Sequence, residues 1–374
     1  MNAVVSGYLR DLAYAQPSEP RMFGYKRAAA AIFDLEQSLD DLVRQHGGAL
    51  PKIAGIGPSS GRVINEVLES GGSAIVEHAV EASGRRADIE RRRTLRTHFL
   101  SRAAVLRILR DPALEGPLPS QYRCDLQMHS EWSDGTPTMH DIAVACLARG
   151  YSHAAVTDHS YGLKIAGGMS MQEAAEQRRA IDAVNNAGGA AFRLLQGVEA
   201  NIAADGALDL TDAEASTFDL VLAAPHSRLR KTDDQTARML RALEHPCVRI
   251  LAHPRGRITG SRAGVVADWP AVFLRAAQGG IAVEIDGDPS RQDLDHALAH
   301  QAQRAGCLFA LDSDAHTTTQ LVYAETAIAH ARLAGIPPDR IVNCWPLDRL
   351  LAWLADPARE QRQAQDTVAR PFRD

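Results

Sequence analysis

The sequence predicts a parallel α/β barrel preceded by a small helical domain. Three observations support this prediction. After residue 122, seven short apolar runs alternate with amphipathic stretches; before residue 111, apolar residues recur at helical spacing; and a segment rich in proline and glycine, 111–122, separates the two parts. The alternating part has roughly 220 residues, which suits a closed barrel. An open doubly wound sheet fits the same alternation.

Composition restricts the class of protein. The 374 residues are 45% hydrophobic and 23% charged, as in ordinary globular proteins. No run approaches 18 apolar residues, so we expect no membrane span. The five cysteines form no CxxC pair, and acidic residues appear too early for a secretory signal, so we expect a cytoplasmic protein. A net charge of −5 restricts any nucleic-acid binding to a local surface.

The N-terminal part is predicted to be helical. The stretch 22–45 has apolar residues at helical spacing and ends at a His-Gly-Gly sequence. Residues 50–72 then predict a short helix, a glycine hairpin and a second helix. A Gly-Ile-Gly sequence before a helix exposes backbone N–H groups that can hold a DNA phosphate without reading base sequence. We assign DNA binding to Gly55, Ile56, Gly57 and Arg62; a plain helix-packing turn is the alternative.

An arginine-rich segment follows. Residues 85–110 contain nine arginines and only two acidic residues, and they predict a helix or a helix plus linker. A solvated helical face and a nucleic-acid contact are equally good interpretations.

The seven apolar runs are predicted strands, and helices are predicted after them. The predicted strands are 124–128, 154–157, 194–200, 219–224, 249–252, 281–285 and 307–312. The predicted helices include 138–149, 170–186, 233–243, 292–304 and 319–334.

Histidine, aspartate and glutamate recur where these strands end, which is where a parallel barrel gathers its active site. A single histidine at a strand end is usually a hydrogen-bonded structural residue, but five histidines with several carboxylates favour a metal site. Imidazole and carboxylate without thiolate suit Zn, Mn or Fe. Such ions activate water for phosphoryl transfer.

Seven motifs in this part resemble those of the PHP (polymerase and histidinol phosphatase) family. They are DLQMHSEWSDG, VTDHS, GVEANI, PHSRL, LAHPRGR, VEIDGDPSRQDL and LDSDAH. They are most similar to the C-terminal PHP domain of bacterial X-family DNA polymerases, over about residues 123–345. The resemblance implies a distorted seven-stranded (βα) barrel that binds two or three divalent ions (Mn, Zn or Fe) and hydrolyses phosphoesters.

The resemblance also implies roles for individual residues. One metal would take His129, Glu199 and Asp314; a second would share Glu199 and take His226 and His253; a third would take Asp134, His159 and His316. It assigns catalytic roles to Arg257, Arg291 and Asp158. The two arginines would hold a substrate phosphate, and surface salt bridges are their alternative role.

One residue departs from the family pattern. The family begins with His-x-His, whereas Gln127 precedes His129 here. Because an amide oxygen is a weaker ligand than imidazole, we expect the first metal to be held loosely or completed by water, or Gln127 to bind a water beside it.

The N-terminal part resembles the helix-hairpin-helix domain of the same polymerases, but the polymerase core is missing. The 72–122 interval is too short for a nucleotidyl-transfer domain. We therefore predict four parts: a helix-hairpin-helix DNA-binding domain (1–75), an arginine-rich helical linker (76–122), a PHP metallo-phosphoesterase barrel (123–345) and a C-terminal helix or tail (346–374).

The function predicted from these features is metal-dependent phosphoester hydrolysis at DNA ends in DNA repair. The enzyme would act as a 3′–5′ exonuclease or as a 3′-end-processing phosphodiesterase or phosphatase. One alternative is a small-molecule phosphatase of the histidinol-phosphatase type, which would need no phosphate-binding hairpin. The other is a non-catalytic DNA-binding protein with a degenerate PHP site, for which Gln127 is the only support.

Overall fold

A computed structural model of the protein describes residues 1–355, so most of the predicted C-terminal segment 346–374 lies outside the described residues. The chain forms two compact units. The first comprises residues 1–111 and the short segment 258–262, and the second comprises residues 112–257 and 263–355. The division after 111 falls inside the segment expected as a linker.

The first unit is helical. Its helices are α1 (Asn2–Ala15), α2 (Glu19–Phe33), α3 (Leu39–Gln45), α4 (Pro58–Ser70), α5 (Ala74–Ala82), α6 (Arg86–Thr94) and α7 (Arg102–Arg110). Helices α1, α2 and α4 carry buried aliphatic residues at helical spacing, including Leu9, Ile32 and Ile64, which share one core. A buried hydrogen bond, in which Ser6 Oγ donates to the Ala29 carbonyl at 2.8 Å, joins α1 to α2.

Two sequence predictions for this unit were wrong. The continuous helix expected over 22–45 is broken at 34–38, because Ser38 begins a new helix by accepting the Asp41 backbone N–H at 3.1 Å. No short helix forms before the glycine hairpin. Residues 50–57 are turn and irregular chain, and α4 begins directly after Gly57. Helix α1 had not been anticipated.

The arginine-rich segment supplies α6 and α7 and the chain between them. Five of its nine arginines form ion pairs with carboxylates of the first unit: Arg86, Arg91, Arg92, Arg93 and Arg96 pair with Asp11, Glu77, Glu81, Asp88 or Glu90. The buried Asp11 receives two of them, Arg93 at 2.6 Å and Arg96 at 2.5 Å. Much of this positive charge is therefore compensated inside the unit.

The second unit contains a curled sheet of six parallel strands in the order β1-β2-β3-β4-β5-β6. The strands are β1 (His153–Val156), β2 (Arg193–Asn201), β3 (Leu220–Ala224), β4 (Val248–Leu251), β5 (Ala282–Asp286) and β6 (Leu308–Asp312). Every neighbouring pair is parallel, so all six carboxyl ends lie at the same edge. Almost every strand residue is buried, as expected for a parallel sheet covered by helices.

The sheet has six strands among the described residues, not the expected seven. The first predicted strand, 124–128, is extended and buried but forms only an isolated bridge, from Met128 to Ala315. The backbone N–H of Leu126 donates to the Asp312 carboxylate at 2.8 Å instead of to a neighbouring strand. The segment still lies along β1, because the backbone N–H groups of Ala155 and Thr157 donate to the Asp125 and Met128 carbonyls at 3.0 and 2.8 Å.

Helices surround the sheet. They are α8 (Met139–Ala148), α9 (Met171–Gly188), α10 (Asp212–Ala215), α11 (Thr236–Ala242), α12 (Trp269–Gly279), α13 (His296–Arg304), α14 (Ala324–Leu333) and α15 (Leu347–Leu354). The alternation predicted from the sequence is therefore present. Over residues 1–355, none of the helices combines the length and apolarity that a bilayer crossing demands.

Candidate metal centre and phosphoesterase site

The carboxyl ends of the strands bring the eight predicted metal ligands together around Glu199. This glutamate lies on β2 with a fully buried side chain. Its two carboxylate oxygens face different histidines. Oε1 is 2.7 Å from His253 Nε2 and 3.1 Å from His226 Nε2, and Oε2 is 3.3 Å from His129 Nε2 and 3.2 Å from His159 Nδ1. A carboxylate with each oxygen directed at a different pair of imidazoles is arranged to bridge two ions.

Electrostatics keep this carboxylate ionised. Burial opposes ionisation, but electrostatic interactions with the neighbouring His159, His226 and His253 outweigh it and hold the pKa of Glu199 well below its usual range. Glu199 can therefore offer both oxygens as ligands.

A second carboxylate, Asp134, gathers three histidines. Its Oδ1 lies 3.5 Å from His159 Nε2, 3.3 Å from His316 Nε2 and 3.7 Å from His129 Nδ1. The His129 ring stacks between the other two, with centroids 4.4 Å away on each side. Burial raises the pKa of Asp134, but hydrogen bonds from His159 and His316 outweigh it and leave the pKa well below normal.

The third carboxylate, Asp314, lies 3.1 Å from His129 Nε2 through Oδ1. The donor atoms form three groups, each within 4.8 Å: His129, Asp134, His159 and His316; His159, Glu199 and His226; and His129, Glu199 and Asp314. The third group is the expected first metal set. The second contains His159 where the resemblance implied His253, although His253 still contacts Glu199.

Unsatisfied polar atoms indicate that these residues fit divalent ions. Glu199 Oε2, His129 Nδ1, His159 Nδ1 and both ring nitrogens of His226 are buried and make no hydrogen bond with any described residue. Buried polar atoms are normally paired, and a group of such donors around carboxylates fits a cation.

Two of the predicted ligands occupy backbone conformations that are rare for residues with a side chain. Asp314 has φ of 51° and His253 has φ of 24°. Residues held in such regions cluster at active sites, where the surrounding structure fixes them. A third constraint is Gly135, beside Asp134. A Cβ there would lie 2.4 Å from the His129 carbonyl carbon and oxygen.

Gln127 is fully buried and faces Glu284, outside the three donor groups. With its amide nitrogen directed at the carboxylate, it donates to both oxygens of Glu284. The same carboxylate accepts the backbone N–H of His253. Burial raises the pKa of Glu284 well above its usual range, with the neighbouring Asp312 and Asp286 adding to the effect. Gln127 thus contacts the carboxyl that supports a ligand.

Asp158, which the resemblance assigned to catalysis, lies behind the site and is fully buried. Its carboxylate accepts hydrogen bonds from the Ser130 N–H at 2.8 Å, from Ser130 Oγ at 2.5 Å, from Ser133 Oγ, and from Gln177 Nε2 at 2.6 Å. Four donors saturate its acceptor capacity. The geometry makes Asp158 a support for the turn that carries Asp134.

The two arginines occupy different environments. Arg291 Nη2 lies 3.4 Å from Asp314 Oδ2, beside the ligands, and its side chain is 25% exposed. Arg257 is only 5% exposed, pairs with Asp295 at 2.8 Å and donates to the Arg291 carbonyl at 2.8 Å. Neither has the surface salt bridge of the alternative interpretation. Arg291 therefore lies beside a predicted ligand, whereas Arg257 contacts the backbone of Arg291.

Sequence reasoning missed Ser130, Ser133, Gln177 and Gly135. Ser130, Ser133 and Gly135 lie inside the HSEWSDG motif, so their position beside two ligands was a usable signal. Gln177 lies on α9, 19 residues from Asp158, and nothing in the sequence marks it.

The predicted DNA-binding residues lie in the first unit. Gly55 and Gly57 line a cleft of about 520 Å³ at the start of α4, together with Arg21, Arg27 and Ser59 among others. Ile56 packs against the core of the unit, and Arg62 is exposed on α4. The structure therefore places two glycines and two arginines around one concave surface.

Comparison with known proteins relates part of this chain to one family. The PHP domain family matches residues 125–254. The chain is 35% identical over 235 residues to "DNA polymerase/3'-5' exonuclease PolX" of Bacillus subtilis, an alignment covering 63% of this chain and 41% of that protein. It spans less than half of that relative's length, and no polymerase core is indicated within residues 1–355.

A second relative is shorter. The chain is 28% identical over 253 residues to "Probable phosphatase YcdX" of Escherichia coli, covering 62% of this chain and 94% of that protein. Among solved structures, histidinol phosphate phosphatase from Lactococcus lactis, complexed with Zn, L-histidinol and phosphate, aligns with a TM-score of 0.41 and 15% identity. That alignment covers 56% of this chain and 94% of the other. The matched motifs and the ligand cluster show that this chain contains a PHP domain and is a metal-dependent phosphoester hydrolase.

Proposed function

We propose that the protein hydrolyses phosphodiester or phosphomonoester bonds at DNA 3′ ends, as a 3′–5′ exonuclease or an end-processing enzyme in DNA repair. The observation that carries this proposal is the combination of a PHP phosphoesterase site in the second unit with a cleft lined by glycines and arginines in the first. The similarity to a polymerase/exonuclease over 63% of the chain supports it.

Bound divalent ions would supply positive charge and an activated water for attack on phosphorus. Glu199 would hold two of them, with His129 and Asp314 on one side and His226 and His253 on the other. Arg291, which lies beside Asp314, would neutralise charge that develops on a phosphoryl oxygen. Asp158 would fix the position of the turn that carries Asp134 by accepting hydrogen bonds from Ser130 and Ser133.

The first unit would hold DNA through its phosphates. Backbone N–H groups at the start of α4 favour an anion, and Arg21 and Arg27 line the same cleft. Because five arginines of the 85–110 segment are ion-paired within the unit, we propose the cleft, with Arg62 on the same helix, as the main contact. Phosphate contacts of this kind carry no base specificity.

The test is an activity assay on the full chain with Mn²⁺. The substrates are 5′-labelled single-stranded DNA, nicked DNA and histidinol phosphate, and Glu199→Gln is the inactive control. We expect stepwise shortening from the 3′ end that Glu199→Gln reduces by orders of magnitude. Turnover of histidinol phosphate with intact DNA would instead support the second candidate, a small-molecule phosphatase, which the 94% coverage of the probable phosphatase YcdX favours.

A binding measurement tests the first unit separately. Fluorescence anisotropy with labelled DNA should show affinity that falls steeply between about 50 and 200 mM salt. The double variant Arg21→Ala/Arg62→Ala should weaken binding. Arg44→Ala on α3, which removes an exposed arginine paired with Asp41, is the matched control and should leave affinity unchanged. Equal loss in both variants would contradict the placement of DNA at the cleft.

A further inference from the structure

A short loop beside the metal centre exposes an apolar side chain almost completely. The loop comprises residues 161–168, which begin two positions after the predicted ligand His159. Its tip is the 3₁₀ turn Lys164–Ala166, and Ile165 at the centre of that turn is 96% exposed. No other large apolar side chain among the described residues is as exposed; the next, Phe23, is 57% exposed.

Backbone contacts fix the loop. Its two ends meet at a bridge between Ser160 and Met169, and the Met169 N–H donates to the His159 carbonyl at 2.8 Å. A Cβ on Gly168 would lie 1.9 Å from the Ser160 carbonyl oxygen, so only glycine permits this closure. A rigid loop that presents an apolar side chain loses little conformational entropy when a ligand packs on it.

The loop lies at the open side of the metal centre. Among the ligands, Asp134 and His316 are 35% and 30% exposed, whereas Glu199 and His129 are fully buried. A substrate therefore enters beside Asp134. Gly167 of the loop approaches the Ser133 carbonyl, immediately before Asp134, with 3.4 Å between its Cβ position and that oxygen.

Ile165 is within reach of a group attached to the phosphate. Ile165 lies four positions before Met169, which is hydrogen-bonded to His159, so the tip extends at most about 14 Å from that point. A nucleoside attached to that phosphate extends outward with a flat apolar face, and isoleucine is one of the side chains that pack against or between bases.

We propose that Ile165 is a platform for the nucleobase next to the phosphoester that is hydrolysed, with the exposed Lys164 beside it for a flanking phosphate. This inference rests on the proposed function, because it requires a nucleic-acid substrate. The charge of the loop fits that occupant, since Lys164 is positive and DNA is a polyanion. A packed base would give selectivity for nucleotides over small esters without reading sequence.

The experiment compares Ile165→Ala with the parent on two substrates, using the full chain with Mn²⁺. The substrates are a 5′-labelled oligonucleotide and bis(p-nitrophenyl) phosphate. We expect KM for the oligonucleotide to rise about five- to tenfold, as the loss of one base contact predicts, with kcat within about twofold. Hydrolysis of the small diester should change less than twofold. Ile165→Leu should restore the oligonucleotide KM.

Val144→Ala is the matched control, because Val144 is an aliphatic residue on α8 that is 52% exposed. It should behave as the parent on both substrates. If the parent cleaves the oligonucleotide and Ile165→Ala cleaves it with an unchanged KM, the platform is wrong while the proposed function stands. If the parent cleaves only small esters, both are wrong.

Self-association is measured in parallel by light scattering. A parent dimer that Ile165→Ala converts to monomer, with an unchanged oligonucleotide KM per active site, would show that Ile165 contacts a second copy of the chain. That result would also overturn the proposal.

Discussion

Gly135 is the residue whose replacement tests the geometry of the metal centre most directly. It follows Asp134, and a Cβ at this position would lie 2.4 Å from both the carbonyl carbon and the carbonyl oxygen of His129, and 2.6 Å from the backbone nitrogen of Ser130. All three atoms are backbone, so no side chain can rotate away. The Gly135→Ala substitution therefore requires the turn to move.

The size of the movement follows from the contact distance. Ordinary contacts of a Cβ begin near 3.4 Å, so the turn must shift by about 1 Å. The neighbouring backbone cannot absorb this shift, because the His129 N–H donates to the Ala315 carbonyl at 2.8 Å and the Ser130 N–H donates to Asp158 at 2.8 Å. The displaced residue is then Asp134. Misplacement of a reacting group by 1 Å costs roughly 10²-fold in rate.

We expect Gly135→Ala to remain folded, to lose about 10²-fold in phosphodiesterase rate and to bind less metal. The assays are hydrolysis of bis(p-nitrophenyl) phosphate, elemental analysis after dialysis, and circular dichroism. Gly188→Ala, at the end of α9, is the control, since its Cβ would meet no atom within 4 Å. A Gly135→Ala protein with the parent's rate and metal content would refute this account of the turn.

Three further predictions concern buried polar residues. Asp158→Asn disturbs the hydrogen bonds that fix the turn of Asp134, so metal affinity should fall about 10- to 100-fold with the far-ultraviolet spectrum unchanged. An unaltered metal titration would contradict the supporting role. Gln127→Ala removes a hydrogen-bond donor from the buried Glu284 carboxyl and should lower the free energy of unfolding, measured in urea, by about 1–3 kcal/mol. Gln127→His retains a donor and restores the family's imidazole. It should lose less stability than Gln127→Ala and bind the most labile metal at least as tightly as the parent. Burial, with a smaller contribution from the charge of Arg123, lowers the pKa of His153 to about 4. Between pH 6.5 and 4 the unfolded chain therefore binds a proton that the folded chain does not, and stability falls as pH falls. Over that pH range, the free energy of unfolding of His153→Leu should fall by up to about 3 kcal/mol less than that of the parent. Parallel curves of stability against pH for the two proteins would rule this out.

The sequence by itself determined the composition of the candidate site. Strand and helix alternation placed His129, His159, His226, His253 and Asp314 after successive apolar runs, and parallel strands bring such positions to one edge. These are local signals, because the spacing of apolar residues and the residue after each run are readable without knowing what packs against them. For the same reason the sequence located the helices of the second unit within a few residues.

Only the tertiary structure decided the partners of the polar residues. The Leu126 N–H donates to the Asp312 carboxylate and not to a strand, and residues 124–128 form no strand of the sheet. Arg291 lies beside Asp314, and Arg257 contacts the Arg291 backbone. Asp158 accepts hydrogen bonds from two serines. The arginine run shows the same effect, since its partner Asp11 lies more than 80 residues earlier in the chain. A hydrogen bond or ion pair depends on which distant group arrives within about 3 Å, and the pattern of a segment carries no information about that distance.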